Sequence, residues 1–444
     1  MTDNPNNSPH FELLIEKINT HKAVVGIIGL GYVGLPLAVG FARCGFRVIG
    51  FELDDRKISK INQGENYIGD VNSEELAKLV RDGQLSATSE YSVLRDVDVV
   101  VICVPTPLRK TGDPDIGSIV SARDEVAKYL HSGQAIVLES TTYPGTIDEL
   151  VKPTLMESGL EIGSDFFLAF SPERIDPNND TYTVEVTPKV VGGVTPQCTE
   201  VVVAFYSQMI KTVVPVSSPT TAEMVKLLEN TFRAINIGLA NEVAIMCRVL
   251  GLDVWEVINA AATKPFGFMP FYPGPGLGGH CIPVDPAYLS WKLRTLQYRT
   301  RFIELATEIN TAMPEYVTRL VSSALNDDAK SIRRSKILLL GMAYKKDIDD
   351  VRESPALDVM RLLHNLGAEV TYHDKFVPSV SEGGDTVHSV DMTQDILKSA
   401  DIVIILTDHS HVDYNEVCQH AKLVLDTRNA TKNVRDSHAR VVKL

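Results

Sequence analysis

Apolar residues fall along this chain in short unbroken runs, separated by stretches in which they recur every three or four positions. Residues 23–29 form a run of the kind that a strand buried on both faces shows. Gly29-Leu-Gly31-Tyr-Val-Gly34 follows at once and leads into an apolar helical pattern reaching Phe41 and Ala42. A second run at 47–52 ends in Glu52, a polar helix comes next, and further runs lie at 97–103, 134–139 and 166–170. Strands alternating with helices predict βαβ units and a parallel sheet.

The last third repeats this order. Runs at 336–341, 369–374, 400–407 and 422–427 parallel those at 23–29, 47–52, 97–106 and 134–141, and 355–366 reads as a helix. Asp374 ends its run as Glu52 ends its own. The repetition predicts an α/β protein of two Rossmann-like, doubly wound lobes. Between them, 220–249 lacks proline and carries Met224, Leu227, Leu228, Phe232, Ile235, Leu239, Val243 and Met246 at helical spacing. That spacing predicts one helix of about thirty residues, ~45 Å long, joining the lobes and offering a helical dimer surface. Residues 267–286 are rich in Gly, Pro and aromatics, which predicts a long functional loop.

With 444 residues, the chain has room for two or three domains. A net charge of −14 argues against a nucleic-acid or anionic-membrane surface, and makes each local cluster of cations worth tracing. No apolar stretch approaches the ~18 residues that span a bilayer, and the first twenty residues carry no secretory pattern. Cysteines 44, 103, 198, 247, 281 and 418 form no CxxC, so a reducing cytoplasm with no metal site is expected.

The glycine pattern at 29–34 follows a strand and opens a helix, the context that gives it meaning. Gly29 suits a tight turn, Gly31 lets backbone amides approach a pyrophosphate, and Gly34 lets the helix pack on the sheet. Glu52 stands eighteen residues past Gly34, where a carboxylate accepts ribose hydroxyls and repels a 2′-phosphate, favouring NAD. Thr106 in 103–107 and Thr141 in 140–144 lie at strand ends, as cofactor contacts or as plain turn residues. Within 274–285 (GPGLGGHCIPVD), the glycines let a substrate approach Cys281, and Asp285 lies one turn on if a helix starts there. Cys281 reads as a nucleophile or as a buried inert thiol, and His280 as structural. Lys226, Asn230 and Arg233 share a helix face, either a solvated stripe or cations set among buried neighbours that need an anion. Basic clusters at 171–176 (SPERID) and at Tyr344-Lys345-Lys346 with Arg352 also follow strands. The second lobe lacks a full GxGxxG, which points to a different nucleotide there.

Together these motifs resemble the UDP-glucose/GDP-mannose dehydrogenase family over about residues 22–435. The resemblance rests on GLGYVGLPLA (29–38), CVPTP (103–107), ESTTYPGT (139–146), SPER (171–174), KLLENTFRAINIGLANE (226–242), GPGLGGHC (274–281) and GMAYKKDIDDVRESP (341–355). SPERI and the 268–286 segment are most similar to the branch that oxidises UDP-N-acetylglucosamine at C6. Enzymes for UDP-glucose usually carry an apolar residue where Arg174 stands and an acid where Pro177 stands. The resemblance implies four-electron oxidation of the C6 alcohol to a carboxylate with two NAD in succession. Cys281 forms a thiohemiacetal and then a thioester, Lys226 and Asn230 serve proton transfer or the oxyanion, Asp285 the hydrolytic water, and Glu173 lies near the reacting carbon. For NAD it implies Gly29, Gly31, Tyr32, Val33, Gly34, Glu52, Lys57 (an Arg in many relatives), Thr106, Thr141 and Arg352. For the UDP-sugar it implies Arg174, Ile175, Lys226, Asn230, Arg233, Phe271, Tyr272, Gly278, Tyr344, Lys345 and Arg428.

It also implies a homodimer paired through the central helices and a product that feeds surface polysaccharide synthesis. The domain reading is a polar N-terminal extension (1–22), an NAD-binding domain (23–215), a central helical domain with the catalytic loop (216–325) and a UDP-sugar-binding domain (326–444). The substrate stands open between UDP-GlcNAc, UDP-ManNAc, UDP-GalNAc and UDP-glucose. Rival readings are a single-step hydroxyacid dehydrogenase, against which the second lobe and Cys281 count, and a non-catalytic nucleotide-sugar sensor.

Overall fold

Strands of four or five residues, mostly Val, Ile and Leu and mostly buried along their length, build the first sheet, as parallel strands covered on both faces require. They are β1 (Val24–Ile28), β2 (Arg47–Phe51), β3 (Leu85–Thr88), β4 (Val99–Ile102), β5 (Ala135–Leu138), β6 (Phe167–Phe170), β7 (Lys189–Gly193) and β8 (Val213–Val216). Their order is β3-β2-β1-β4-β5-β6-β7-β8, parallel except where β7 runs against β6. The order reverses direction between β1 and β4, the place where open α/β sheets take ligands. The computed structural model describes residues 8–69, 71–109, 112–174, 183–279 and 281–444. Two compact units emerge, Met1–Glu229 with Ala287–Leu296, and Asn230–Pro286 with Gln297–Leu444. Their boundary falls within two helices, Pro219–Leu250 and Asp285–Thr295, and divides the 216–325 region.

In the second unit, β9 (Lys336–Leu340), β10 (Glu369–His373), β13 (Ile402–Ile405), β14 (Leu423–Asp426) and β15 (Arg440–Lys443) form a parallel sheet, with β11 (Ser379–Glu382) and β12 (Asp385–His388) a separate hairpin. The order β10-β9-β13-β14 reproduces β2-β1-β4-β5 of the first unit, as the repeated runs predict. The long helix spans Pro219–Leu250, thirty-two residues.

Three features differ from the sequence reading. Residues 1–22 are not simply a polar extension: Pro9–Asn19 is a helix capped by Ser8, and Phe11, Leu14 and Ile18 enter the first core from one face. The single polar helix after β2 is two, Asp55–Asn62 and Ser73–Arg81, leading into the unforeseen β3. Leu228 and Phe232 are 58% and 45% exposed, so the neighbours of the Lys226 stripe are not all buried. Among the described residues no helix is long and apolar enough to cross a membrane.

The glycine turn shows how tightly the first unit is built. A Cβ on Gly34 would lie 1.8 Å from the Gly29 carbonyl oxygen, whereas one on Gly31 would meet nothing within 4 Å. Gly34→Ala is therefore expected to lower unfolding free energy by about 1–3 kcal/mol, measured by urea denaturation, while Gly31→Ala leaves the midpoint unchanged. Equal losses from the two would refute this account of the turn.

Candidate active site

The turn after β1 has the shape a pyrophosphate requires. Gly29 adopts φ +91°, and a Cβ there would sit 2.7 Å from the Cys103 carbonyl at the end of β4. Gly31 is open, Tyr32 is 43% exposed, Val33 is half-buried, and the helix Gly34–Arg43 begins with no side-chain cap. At the end of β2, the Glu52 carboxylate accepts the amides of Leu30 (3.3 Å) and Leu53 (2.9 Å) and pairs with Lys57 Nζ at 3.3 Å. Glu52 and Lys57 thus stand directly beside the glycine turn. Thr106 is buried in the loop after β4, where its carbonyl accepts the Tyr288 hydroxyl at 3.0 Å, and Thr141 is half-buried after β5. These residues fit a dinucleotide: open space at Gly31, a helix N-terminus and a carboxylate at the end of β2 beside the turn.

The same edge of the sheet holds a second group. Lys226 is buried and its ammonium donates to the Glu173 carbonyl oxygen at 2.5 Å. Arg174 grips Glu229 through Nε (3.2 Å) and Nη2 (2.6 Å) and donates to the Pro188 carbonyl. Ile175 and His280 lie outside the described residues. Beneath them runs a network that the sequence reading missed. Lys189, at the start of β7, forms a buried ion pair with Glu139, and its Nζ lies 3.7 Å from a Glu173 carboxylate oxygen. The Tyr206 hydroxyl donates to Glu139 at 2.9 Å. Burial pushes Lys189 down to about 7 and the neighbouring Cys103 thiol up to about 12, so Cys103 is inert. A signal was present: Lys189 and Glu139 bound apolar strand runs, and charges in such places need partners.

In the second unit, Cys281 is exposed, and a helical turn links its carbonyl to the Asp285 amide at 2.8 Å, running into the helix Asp285–Thr295. The condition set for Asp285 is met. Its side chain is buried and accepts a hydrogen bond from the Asn230 amide, which brings Asn230, Asp285 and the Cys281 turn together. The glycines before Cys281 have another use than foreseen, because protein atoms already occupy their open sides. A Cβ on Gly274 would meet Arg428 Nη1 at 2.5 Å, on Gly276 Pro355 at 2.9 Å, and on Gly278 and Gly279 Tyr344 at 2.7 and 2.8 Å. The loop is thus pressed against Tyr344 and Arg428, and the Gly279 amide donates to the Arg352 carbonyl at 3.1 Å.

The remaining expected contacts belong to this unit too. Tyr272 stacks on Trp255 (5.8 Å) and Phe271 meets Phe232 edge-on (5.7 Å). Arg233 is exposed, Lys345 half-buried, and the Arg428 Nε donates to the Leu406 carbonyl at 2.9 Å. Arg352, expected at the cofactor, lies here with its guanidinium on Asp350. Asp374, the counterpart of Glu52, is buried and accepts the amides of Met342 and Ala343 together with His409 Nε2. The other His409 nitrogen accepts the Asp347 amide at 2.9 Å. His409 therefore straps the 342–347 loop to Asp374, and its Nδ1 lone pair is taken by the Asp347 amide; His411 lies close to both His409 and Asp347.

Comparison with known proteins matches the chain in three stretches, the middle one lying across the boundary between the two units. Residues 23–210 match the NAD binding domain of the UDP-glucose/GDP-mannose dehydrogenase family, 220–312 its central domain and 338–433 its UDP binding domain. The chain is 34% identical over 414 residues to a UDP-N-acetyl-D-mannosamine dehydrogenase of Pyrococcus horikoshii, covering 92% of this chain and 96% of that one. It is 36% identical over 371 residues to a UDP-N-acetyl-D-glucosamine 6-dehydrogenase of Pseudomonas aeruginosa, covering 83% and 86%. The solved structure of a UDP-D-ManNAc dehydrogenase from P. horikoshii superposes with a TM-score of 0.86 at 32% identity, covering 95% of this chain and 98% of that one. The chain belongs to the UDP-glucose/GDP-mannose dehydrogenase family and is an NAD-dependent nucleotide-sugar dehydrogenase.

Proposed function

We propose that this enzyme oxidises the C6 alcohol of a UDP-N-acetylhexosamine, UDP-GlcNAc foremost, to the uronic acid through a covalent intermediate on Cys281. The observation that carries the reading is an exposed cysteine at the head of a helical turn whose Asp285 is buried and held by Asn230. Arg174 in SPER and the 36% identity to a UDP-GlcNAc 6-dehydrogenase support the choice of sugar. Relatives acting on UDP-ManNAc and on an N-acetylgalactosamine derivative, at 34% and 33% identity, keep the C2 and C4 configurations as the alternatives.

NAD, held by Gly29, Gly31, Tyr32, Val33, Gly34, Glu52, Lys57, Thr106 and Thr141, supplies a hydride acceptor for each of two oxidations at C6. Two oxidations at one carbon are why a thiol is needed. Lys226 takes the hydroxyl proton and then stands as a cation beside the developing oxyanion. The Cys281 thiolate bonds to the aldehyde carbon, and the carbonyl oxygen takes up a proton to complete the thiohemiacetal. Loss of the second hydride and of the hydroxyl proton leaves a thioester. Water oriented by Asp285 attacks it, the S–C bond breaks, one water proton passes to the sulfur and the other to solvent, and carboxylate and thiol are released. Glu173 borders the reacting carbon. Tyr344, Lys345, Arg428, Arg233, Phe271, Tyr272 and Gly278 take the nucleotide sugar, together with Arg174, Ile175 and Asn230, while Arg352 serves the cofactor.

This reading assigns 23–215 to NAD, 216–325 to the catalytic loop and pairing of subunits, and 326–444 to the UDP-sugar. The large apolar side chains left exposed on the long helix, among them Met224, Leu228, Phe232, Leu239 and Met246, support a homodimer. Six cysteines without a disulfide support a reducing cytoplasm.

Assayed over a panel of UDP-sugars, the enzyme is expected to release two NADH per sugar, fastest with UDP-GlcNAc; a stoichiometry of one would overturn the covalent scheme. Cys281→Ala should reduce acid formation by roughly 10⁴-fold or more with NAD affinity unchanged in calorimetry. Glu52→Ala should weaken NAD by roughly 10–100-fold and relax discrimination against NADP; unchanged affinity would mean that this carboxylate does not meet the ribose. Light scattering should show a dimer that Leu228→Glu with Phe232→Glu converts to monomers, and a double variant that stays dimeric would move the interface elsewhere.

A further inference from the structure

Glu223 lies three residues before Lys226 on the long helix and is fully buried. Its two carboxylate oxygens accept different backbone amides, Gly145 at 2.5 Å and Ile147 at 3.0 Å. Those amides close the 139–146 loop, which leaves β5, carries Thr141, and runs into the helical turn Ile147–Val151. On its other side the loop is tied to the residues after β4 by the Ser140 hydroxyl, which donates to the Val104 carbonyl at 2.8 Å. Thr142 and Thr146 share a hydrogen bond within it, and the Tyr143 ring packs against Trp291 at 5.2 Å. The loop therefore has one anchor at the β4 end and one anionic anchor on the helix that also carries Lys226, whose ammonium holds the Glu173 carbonyl.

We propose that Glu223 is a positioning residue for cofactor binding: its carboxylate fixes the 139–146 loop in register with Lys226, and protonation of that carboxylate loosens the loop. The inference rests on the reading of Thr141 as a cofactor contact. A carboxylate satisfies two N–H donors at once, whereas a neutral carboxyl keeps one carbonyl acceptor and turns a hydroxyl toward the other amide. Burial, with the charges of Asp148 and Glu149 nearby, raises Glu223 from its ordinary 4.5 to about 7, against the two amide bonds that pull it down. The other ionisable groups facing this corner are Tyr143, Lys292, which pairs with Glu149, and Lys152, which pairs with Asp148 at 3.7 Å.

Two pH dependences of opposite sign follow. Loop order and NAD affinity rise as pH climbs through about 7, because the carboxylate forms. Stability contributed by this group moves the other way: between 4.5 and about 7 the folded state holds a proton that the unfolded chain has lost, so that contribution falls as pH rises. No merely structural glutamate couples gain of affinity to loss of stability in one window.

The test uses the purified full chain, with NAD and UDP binding measured by calorimetry from pH 5.5 to 8.5 beside urea denaturation. Wild type should bind NAD about tenfold more tightly at pH 8 than at pH 6, the scale of one charge-assisted hydrogen bond. Glu223→Gln should bind NAD about tenfold more weakly at pH 8, with a flat profile and unchanged UDP affinity. Should Glu223→Gln impair folding, Glu223→Asp serves instead, expected to melt as wild type, to retain the pH dependence with a displaced midpoint and to recover part of the affinity. A Glu223→Gln variant that keeps the wild-type profile, or one that loses NAD and UDP affinity equally, would overturn the proposal. Wild type that shows the opposed pH signature yet turns over no UDP-N-acetylhexosamine would sink the substrate reading and leave Glu223 in its role.

Discussion

A parallel strand buried on both faces can present polar chemistry only where it ends, and the arrangement of this protein follows from that constraint. In the first unit the glycine turn, Glu52, Thr106, Thr141 and Glu173 each follow the carboxyl end of a different strand, so one rim collects them all. Lys189 looks like an exception because it starts its strand. It is not, since β7 runs against β6 and therefore begins at the rim where β6 finishes. That one reversal delivers a cation to Glu139 and Glu173, two carboxylates that burial would otherwise leave costly.

The two units use the same strand order for different ends. Glu52 accepts one amide of its turn and stays partly open, leaving the space at Gly31 clear. Asp374, at the matching place in the second unit, takes two amides and a histidine and is sealed. An acid that closes its own turn removes the approach a pyrophosphate would need. The duplicated topology is thus compatible with different ligands because the strand ends, rather than the sheets, are what diverge.

Legibility from sequence tracks the range of the interaction. The strands of both sheets' centres, the long helix and the glycine turn were readable because each rests on neighbours within a few residues: a run of β-branched side chains, a period of 3.6, a turn that admits no Cβ. Glu52 was readable because its spacing from the turn is fixed by one helix and one strand. The Lys189–Glu139 pair joins positions fifty apart, and Asn230 reaches Asp285 over fifty-five. Neither separation has a local signature. The glycines at 274–279 mislead for a related reason: absence of a side chain is legible, but whether a ligand, Tyr344 or Arg428 fills the space is a tertiary fact. Leu228 and Phe232 kept their helical period while facing outward, since periodicity marks an apolar face and not what covers it.

The six thiols differ sharply in their surroundings. Cys103, Cys198, Cys247 and Cys418 are enclosed and Cys44 is half-enclosed with its thiolate disfavoured, while Cys281 opens to solvent. Among the six, accessibility to solvent is greatest at Cys281. An electrophile small enough to diffuse to the loop would alkylate Cys281 ahead of the half-enclosed Cys44 and the four enclosed thiols. The same opening admits peroxide, so the thiol most exposed to solvent is also the one most open to oxidation.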